Sequence, residues 1–349
     1  MFPFVTMFRR TSLHLLTLVL ILAASALPAA AKPARVKLAT LAPKGTSFHL
    51  ILQEMAQGWK TGPDGGVAVT MFTDGTMGGE SDMVRRMRLG QLHAGLITTA
   101  GLGDIEGGVS GLQNIPMAYR SLDEVEHVLA VMAPKYEQKM YEKGFVVLGW
   151  FDSGWINFFS KKPLIEPADL RGEKVFVIAN SPGTVEVVRE LSMQPVVLEP
   201  TDILVSLQTG LITVVTAPPF YGLAGQFYQP APHFLPLNWA PLVGGLVITR
   251  KVWDDLSPAQ QELLKRTGTE ACQKIRTAAR AEMLESITAM ESRGLIVHKI
   301  DTALEKKWIE FFDTVQPKTR GTVVPADDYD AIMGTLATHR ANHPAPAAP

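Results

Sequence analysis

Catalysis needs a nucleophile beside a base, a set of metal ligands, or a loop of backbone amides that cradles phosphate, and this chain offers only fragments of each. "GLGDIEGG" (101–108) places Gly101, Gly103 and Gly107 after an apolar run, but the last glycine falls one residue too late for a G-x-G-x-x-G phosphate turn. The reading there is a flexible loop at a cleft edge. His339 and His343 stand at the helical spacing that lets two imidazoles share a metal, yet they lie in "HRANHPAPAAP", whose composition predicts a mobile tail. Asp327, Asp328 and Asp330 lack the glycine and closing glutamate of a calcium loop and read as a solvated helix start. Cys272, the sole cysteine, falls in a helical stretch and reads as a small core residue. No G-x-S-x-G occurs, and His49, His93, His127, His233 and His298 are scattered. The expectation is a protein that is not an enzyme and takes no metal or cofactor.

Aromatic residues at strand ends carry more promise. "WFDSGWINFFS" (150–160) gathers Trp150, Phe151, Trp155, Phe158 and Phe159, and the stretch 217–242 carries Phe220, Tyr221, Phe227, Tyr228, Phe234 and Trp239 among prolines. Some of these rings must be core, since aromatics bury large areas in any fold. Both groups nevertheless fall where open α/β sheets bind ligands, beyond the carboxyl ends of strands and between domains.

The elements that must position them alternate. "VKLATL" (36–41), "VAVTMF" (67–72) and "AGLIT" (94–98) read as strands. Between them lie a helix with Phe48, Ile51, Leu52, Met55 and Trp59 on one face and a second helix, capped by Ser81, bearing Met83, Val84 and Met87. Ser121 and Glu124 open a further helix, and "FVVLGW" (145–150) a further strand. The rhythm restarts with "KVFVI" (174–178), a Ser181 cap before Pro182, "PVVL" (195–198), a helix near 202–209 closed by Gly210, and "ITVVT" (212–216). Two successive βαβ systems imply two α/β lobes. "GGLVIT" (244–249) adds a strand, Ser257 to Gln260 opens a long helix ending before Gly294, and a shorter helix carries Leu304, Trp308 and Phe311.

Length and composition set the frame. The 349 residues, 46% hydrophobic and 19% charged, suit two domains of ordinary globular material. Residues 1–31 join Arg9 and Arg10 to an apolar run from Leu13 to about Ala26 and end in Ala29-Ala30-Ala31, the layout of an export signal cut after Ala31. The apolar run is shorter than the roughly 20 residues of a membrane span. Loss of Arg9 and Arg10 leaves 31 basic against 34 acidic side chains, a formal charge of −3. That balance gives no nucleic-acid footprint. One cysteine permits no internal disulfide.

The chain resembles the substrate-binding proteins of TRAP transporters, the DctP-type extracytoplasmic solute receptors. The carriers are "KLATLAPKGTSFHLILQEMAQGWK", "VTMFTDGTMGGESDMVRRMRLGQLHAGLIT", "PADLRGEKVFV", "VSLQTGLITVVTAPP" and "GGLVITRKVWDDLSPAQQELL", which in this order cover nearly all of the mature chain. The resemblance implies a two-lobe periplasmic binding protein fold with hinge strands and a long spanning helix. It divides the chain into a signal peptide (1–31), lobe I (32–150), lobe II (151–240), a return to lobe I with the long and C-terminal helices (241–340), and a disordered tail (341–349). It also implies closure over a small-molecule ligand and delivery to TRAP membrane permease subunits.

The departures from that pattern are informative. Members of the family write the strand after the L-(K/R)-G turn as K-I-R-V-P, with an arginine whose planar fork grips the ligand carboxylate. Here Lys174 falls on the lysine and Phe176 on the arginine. Where members read Q-T-G-V-V-D-G-Q-E-N-P, this chain has Thr213 to Thr216 and Ala217 before Pro218, again less polar. Leaving a buried carboxylate without its partner costs about 3 to 5 kcal/mol, whereas burying a phenyl ring contributes about 1.5 to 3. The expected ligand is therefore lipophilic or aromatic, held by Phe176, Trp155, Phe158, Ala217, Phe220, Tyr221 and Trp239. Polar orientation is expected from Thr46, Ser47, Thr98 and Asn180, and from backbone N–H groups between Thr46 and Phe48 or Ser181 and Gly183. The missing arginine further resembles a subset of receptors that work with a periplasmic helical-repeat partner. Two alternatives stand beside this reading: an organic acid gripped by Lys44, Arg250 or Lys174, and a scaffold or sensor whose aromatic loops bind a protein.

Overall fold

The computed structural model describes residues 34–179 and 182–343, so the export signal, Asn180 and Ser181 lie outside the described residues. The first half opens with β1 (Ala34–Thr40), α1 (Ser47–Lys60), β2 (Val67–Phe72), α2 (Glu80–Arg88), β3 (Ala94–Thr98) and α3 (Thr99–Ile105). Then come a 3₁₀ turn at Gly107–Leu112, α4 (Leu122–Glu142) and the 16-residue strand β4 (Phe145–Ser160). The second half contains β5 (Lys174–Ile178), α5 (Pro182–Glu190), β6 (Gln194–Leu198), α6 (Ile203–Thr209), β7 (Val214–Ala217) and α7 (Pro219–Ala224). It closes with the 17-residue strand β8 (His233–Thr249). There follow α8 (Arg250–Asp254), α9 (Pro258–Glu291), β9 (Ile296–Val297), α10 (Thr302–Asp313), α11 (Gln316–Thr319) and α12 (Ala326–Asn342).

These strands form one sheet in the order β2-β1-β3-β8-β4-β7-β5-β6, with β9 beside β8. β1 pairs in parallel with β2 and β3, and β5 pairs in parallel with β6 and β7, so each half keeps the βαβ plan read from the apolar rhythm. The halves meet through antiparallel β4 and β8. At roughly 3.3 Å per residue each of these strands is about 50 Å long, enough to cross from one half into the other. Residues 150 and 240, expected at lobe boundaries, fall inside them.

Register along β4 and β8 shifts three times, and the shift between Asp152 and Trp155 sets two residues of β4 against one of β8. Gly154 takes φ +74° in that bulge, a left-handed conformation that suits glycine. Asp152 within it is fully buried. It is held by Arg280 of α9 (Nη2 to Oδ2 2.8 Å) and by Arg276 one turn earlier (Nε 2.9 Å). Glu126 of α4 lies 2.6 Å from Arg280. The long helix packs Leu264, Ala271, Ile275 and Ala279 on the first-half core, with Trp59, Leu148 and Leu246. Its last turns put Ile287 and Met290 on the second-half core with Phe159 and Phe234. It thus bridges both lobes, as the resemblance implied.

Several local expectations change. α2 is capped at Gly79 rather than at Ser81, which leaves Glu80 at the first helical position. "GLGDIEGG" is no loop: it falls in α3 and the 3₁₀ turn, which bury Gly101 and Gly108 while Gly107 stays exposed. Gly101 lies where an added Cβ would meet the Cβ of Glu80 at 2.9 Å, and Gly108 abuts Asp328. Tight packing is what those glycines provide. The aspartate cluster is not simply solvated, because Asp328 is buried against Lys135 (2.7 Å) and Asp330 pairs with Arg320 (2.7 Å). Residues 341 and 342, expected in a disordered tail, belong to α12; residues 344–349 lie outside the described residues.

Candidate functional site

A cavity of about 250 Å³ lies between the two halves, where β1, β3, β5 and β7 end and the hinge strands cross. Its first-half wall sets polar groups among the apolar Leu41, Ala42, Pro43, Phe48, Leu96 and Ala100. Thr40 ends β1, Thr98 ends β3, Thr99 opens α3, Glu80 opens α2, and Gln113 and Asn114 follow the 3₁₀ turn. These groups are organised by one another. Glu80 is 2% exposed, and its carboxyl accepts from Thr98 N (2.9 Å), Thr98 Oγ1 (2.7 Å) and Gly101 N (3.0 Å). Burial pushes its pKa above the ordinary glutamate value, against the pull of those three donors. Gln113 Oε1 accepts from Thr99 Oγ1 (3.0 Å) and from Val243 N of β8 (3.2 Å).

The opposite wall is apolar. Val175, Phe176, Val177 and Ile178 of β5, Val188 and Leu191 from α5 and its end, Ile203 of α6, and Ala217, Pro218, Phe220 and Tyr221 around β7 and α7 line it, with Thr184 and Thr216 its hydroxyls. Phe176 is half-buried against the cluster of Ile203, Ala217 and Phe227, with Val196 opposite it on β6. Phe220 stacks on Phe48 of α1 across the halves, centroids 4.8 Å apart. Tyr221 lies near Glu80, and burial together with that charge pushes its hydroxyl up to about 12. The floor is the hinge: Phe151, Ser153, Ile156 and Phe158 of β4, and Trp239 and Leu242 of β8. No Lys, Arg or His lines this cavity among the described residues, and Glu80 is its one acidic group.

Of the residues expected from sequence, Phe176, Phe158, Ala217, Phe220, Tyr221, Trp239, Phe48 and Thr98 come together in this lining. Trp155 does not; it is buried in the first-half core with Leu102, Tyr119 and Val243. Thr46 and Ser47 are also outside it. Thr46 Oγ1 donates to Pro43 O (2.7 Å), and Ser47 Oγ donates to Glu282 of α9 (3.1 Å). Lys44 and Lys174 are exposed and Arg250 stacks on Tyr141, all outside the cavity. Sequence reasoning missed Glu80, Thr99, Gln113, Asn114 and Ser153. The G-G-E turn before α2 was the signal for Glu80; the others carry no local pattern and are assembled by the fold.

The geometry has known counterparts. Residues 38–320 match the family model described as DctP, bacterial extracellular solute-binding protein, family 7. The solute-binding protein RD1_1052 of Roseobacter denitrificans is 27% identical over 289 residues, 82% of this chain and 87% of that one. Its solved structure, a TRAP periplasmic solute binding protein with bound L-galactonate, aligns with TM-score 0.78 and 22% identity over 88% of this chain and 99% of that one. A Shewanella oneidensis TRAP periplasmic solute binding protein with bound succinate aligns with TM-score 0.80 and 18% identity over 87% of this chain and 99% of that one. A further relative, YiiZ of Salmonella typhimurium, is 30% identical over 174 residues, about half of each chain (49% and 51%). With two half-sheets, crossing hinge strands and an interlobe cavity in place, the chain belongs to the DctP family of bacterial extracellular solute-binding proteins, which are receptors rather than enzymes.

Proposed function

We propose that this chain is the periplasmic receptor of a TRAP-type transporter and captures an uncharged, largely apolar small molecule between its halves for delivery to membrane permease subunits. The observation that carries this reading is the absence of any cation from the cavity lining among the described residues, with Phe176 where the family resemblance expects an arginine. The Roseobacter and Shewanella structures hold L-galactonate and succinate, both carboxylates. A carboxylate placed in this cavity would meet an apolar wall and the Glu80 carboxyl. Burying it unpaired costs several kcal/mol, more than its remaining contacts return. An apolar body gains roughly 25 cal/mol for each Å² it removes from water against Phe176, Phe220 and their neighbours. Such a ligand touches both walls and so favours the closed arrangement by its differential affinity.

Mass spectrometry of organic extracts from protein purified out of its native compartment tests the reading. A neutral lipophilic molecule in stoichiometric amount is expected, and a sugar acid or dicarboxylate would sink it. Thermal-shift screening of small organic acids supplies the complementary arm, with no stabilisation expected.

A further inference from the structure

Two polar atoms of residues in the cavity wall are buried without a partner. Thr98, Glu80 and the Gln113 carbonyl oxygen are all engaged by the protein itself. Ser153 Oγ and Trp239 Nε1 are buried and have no hydrogen-bond partner in the protein, and both residues line the cavity. Ser153 is 2% exposed. A buried polar atom without a partner costs about 1 to 3 kcal/mol. Indole N–H only donates, and a serine hydroxyl both donates and accepts.

Their placement is built rather than incidental. Ser153 sits inside the β4 bulge, between Asp152, which is fixed by Arg276 and Arg280, and Gly154 at φ +74°. Trp239 lies on the partner strand β8. Its ring packs on Phe158 (5.7 Å) and Phe312 (6.2 Å), and its carbonyl accepts from Met117 N (2.6 Å), so neither backbone nor ring is free to turn away.

We infer that the ligand carries a neutral hydrogen-bond acceptor, such as a ketone, ester or amide carbonyl, received at the hinge by Trp239 Nε1–H and Ser153 Oγ–H, with its apolar body against Phe176 and Phe220. This rests on the proposed uncharged ligand and adds the polar end to it. Because both donors belong to the strands that connect the halves, the acceptor anchors the ligand to the hinge while the apolar body meets the second-half wall.

Calorimetric titration of the full mature receptor with three probes of one size tests it: 4-phenylbutan-2-one, butylbenzene and 3-phenylpropanoate. The ketone is expected to bind about tenfold tighter than the hydrocarbon, the return from satisfying two buried donors. Ser153→Ala and Trp239→Phe are each expected to lower the ketone-to-hydrocarbon affinity ratio several-fold, and circular-dichroism melts report whether each variant is folded. A ketone that binds no tighter than butylbenzene overturns the acceptor assignment, as does a ratio unmoved in both folded variants. If 3-phenylpropanoate binds tighter than both, the uncharged-ligand reading itself fails.

Discussion

The two walls of the cleft are built from the same βαβ plan and differ in chemistry, the first mixing polar with apolar side chains and the second almost wholly apolar. The first-half wall closes its strands with Thr40 and Thr98, opens α3 with Thr99 and ties Thr98 to Glu80, while the second-half wall presents Val175, Phe176, Ile178, Ile203 and Phe220. Strand carboxyl ends position side chains at a cleft but do not decide what those side chains are. The contrast teaches that in this chain Glu80, Thr98, Thr99 and the Gln113 oxygen of the first wall are engaged within the protein, and the second wall faces the cavity with nothing ionic to offer.

The contrast depends on the hinge that holds the walls face to face, and the largest effect is expected there. Asp152→Asn leaves Arg276 and Arg280 without their buried counter-charge and should destabilise the protein by about 3 to 5 kcal/mol in urea unfolding. A loss below about 1 kcal/mol would show that the hinge is held by packing alone. Next in size, Phe176→Arg reverses the second wall. A lipophilic ligand should weaken by about 1.5 to 3 kcal/mol, roughly ten- to a hundredfold, from the lost ring burial. Small organic acids should then begin to stabilise the fold in thermal-shift assays, and an unchanged ligand profile would remove Phe176 from the cleft.

Glu80→Gln probes the first wall. One amide oxygen cannot serve Thr98 N, Thr98 Oγ1 and Gly101 N, so a loss of about 1 to 3 kcal/mol is expected. The variant should also change the pH profile. Because Glu80 is shifted upward in the folded state, wild-type stability attributable to it is fullest below the ordinary glutamate value and declines as pH rises through the raised one. The glutamine variant should lack that decline.

The smallest effect is expected where the walls touch. A Cβ added at Gly79 would collide with the Glu199 carboxylate of the other half, and Gly79 sits at φ −69°, which alanine tolerates. Gly79→Ala should therefore leave the melting temperature nearly unchanged while weakening ligand affinity several-fold by hindering closure. Equal affinity would place the Gly79–Glu199 contact outside the closing motion.

Much of the fold was legible locally. The apolar rhythm placed β1, β2, β3, β5 and β6, and the Ser257–Gln260 capping box placed the start of α9, where Ser257 Oγ accepts from Gln260 N (3.2 Å). Phe176, Phe220, Tyr221 and Trp239 were legible as candidates because aromatic residues clustered at strand ends. Trp155 belonged to the same cluster and went elsewhere, since the β4 bulge turns its ring into the first-half core. Gly101 and Gly108 looked like part of a loop because spacing cannot distinguish glycine that frees a backbone from glycine that admits a neighbour such as Glu80 or Asp328.

What the amino-acid sequence determined by itself is the alternation of strands and helices, the caps, and the presence of an aromatic ring at position 176, since periodicity and residue type are local properties. Only the tertiary structure decided which residues share the cavity. Glu80, Gln113, Ser153, Phe176 and Trp239 meet because β4 and β8 pair across some 90 residues of chain, as Trp155 does with Pro241. Such contacts depend on loop closure and the burial of four separate cores. No short stretch of sequence encodes either one.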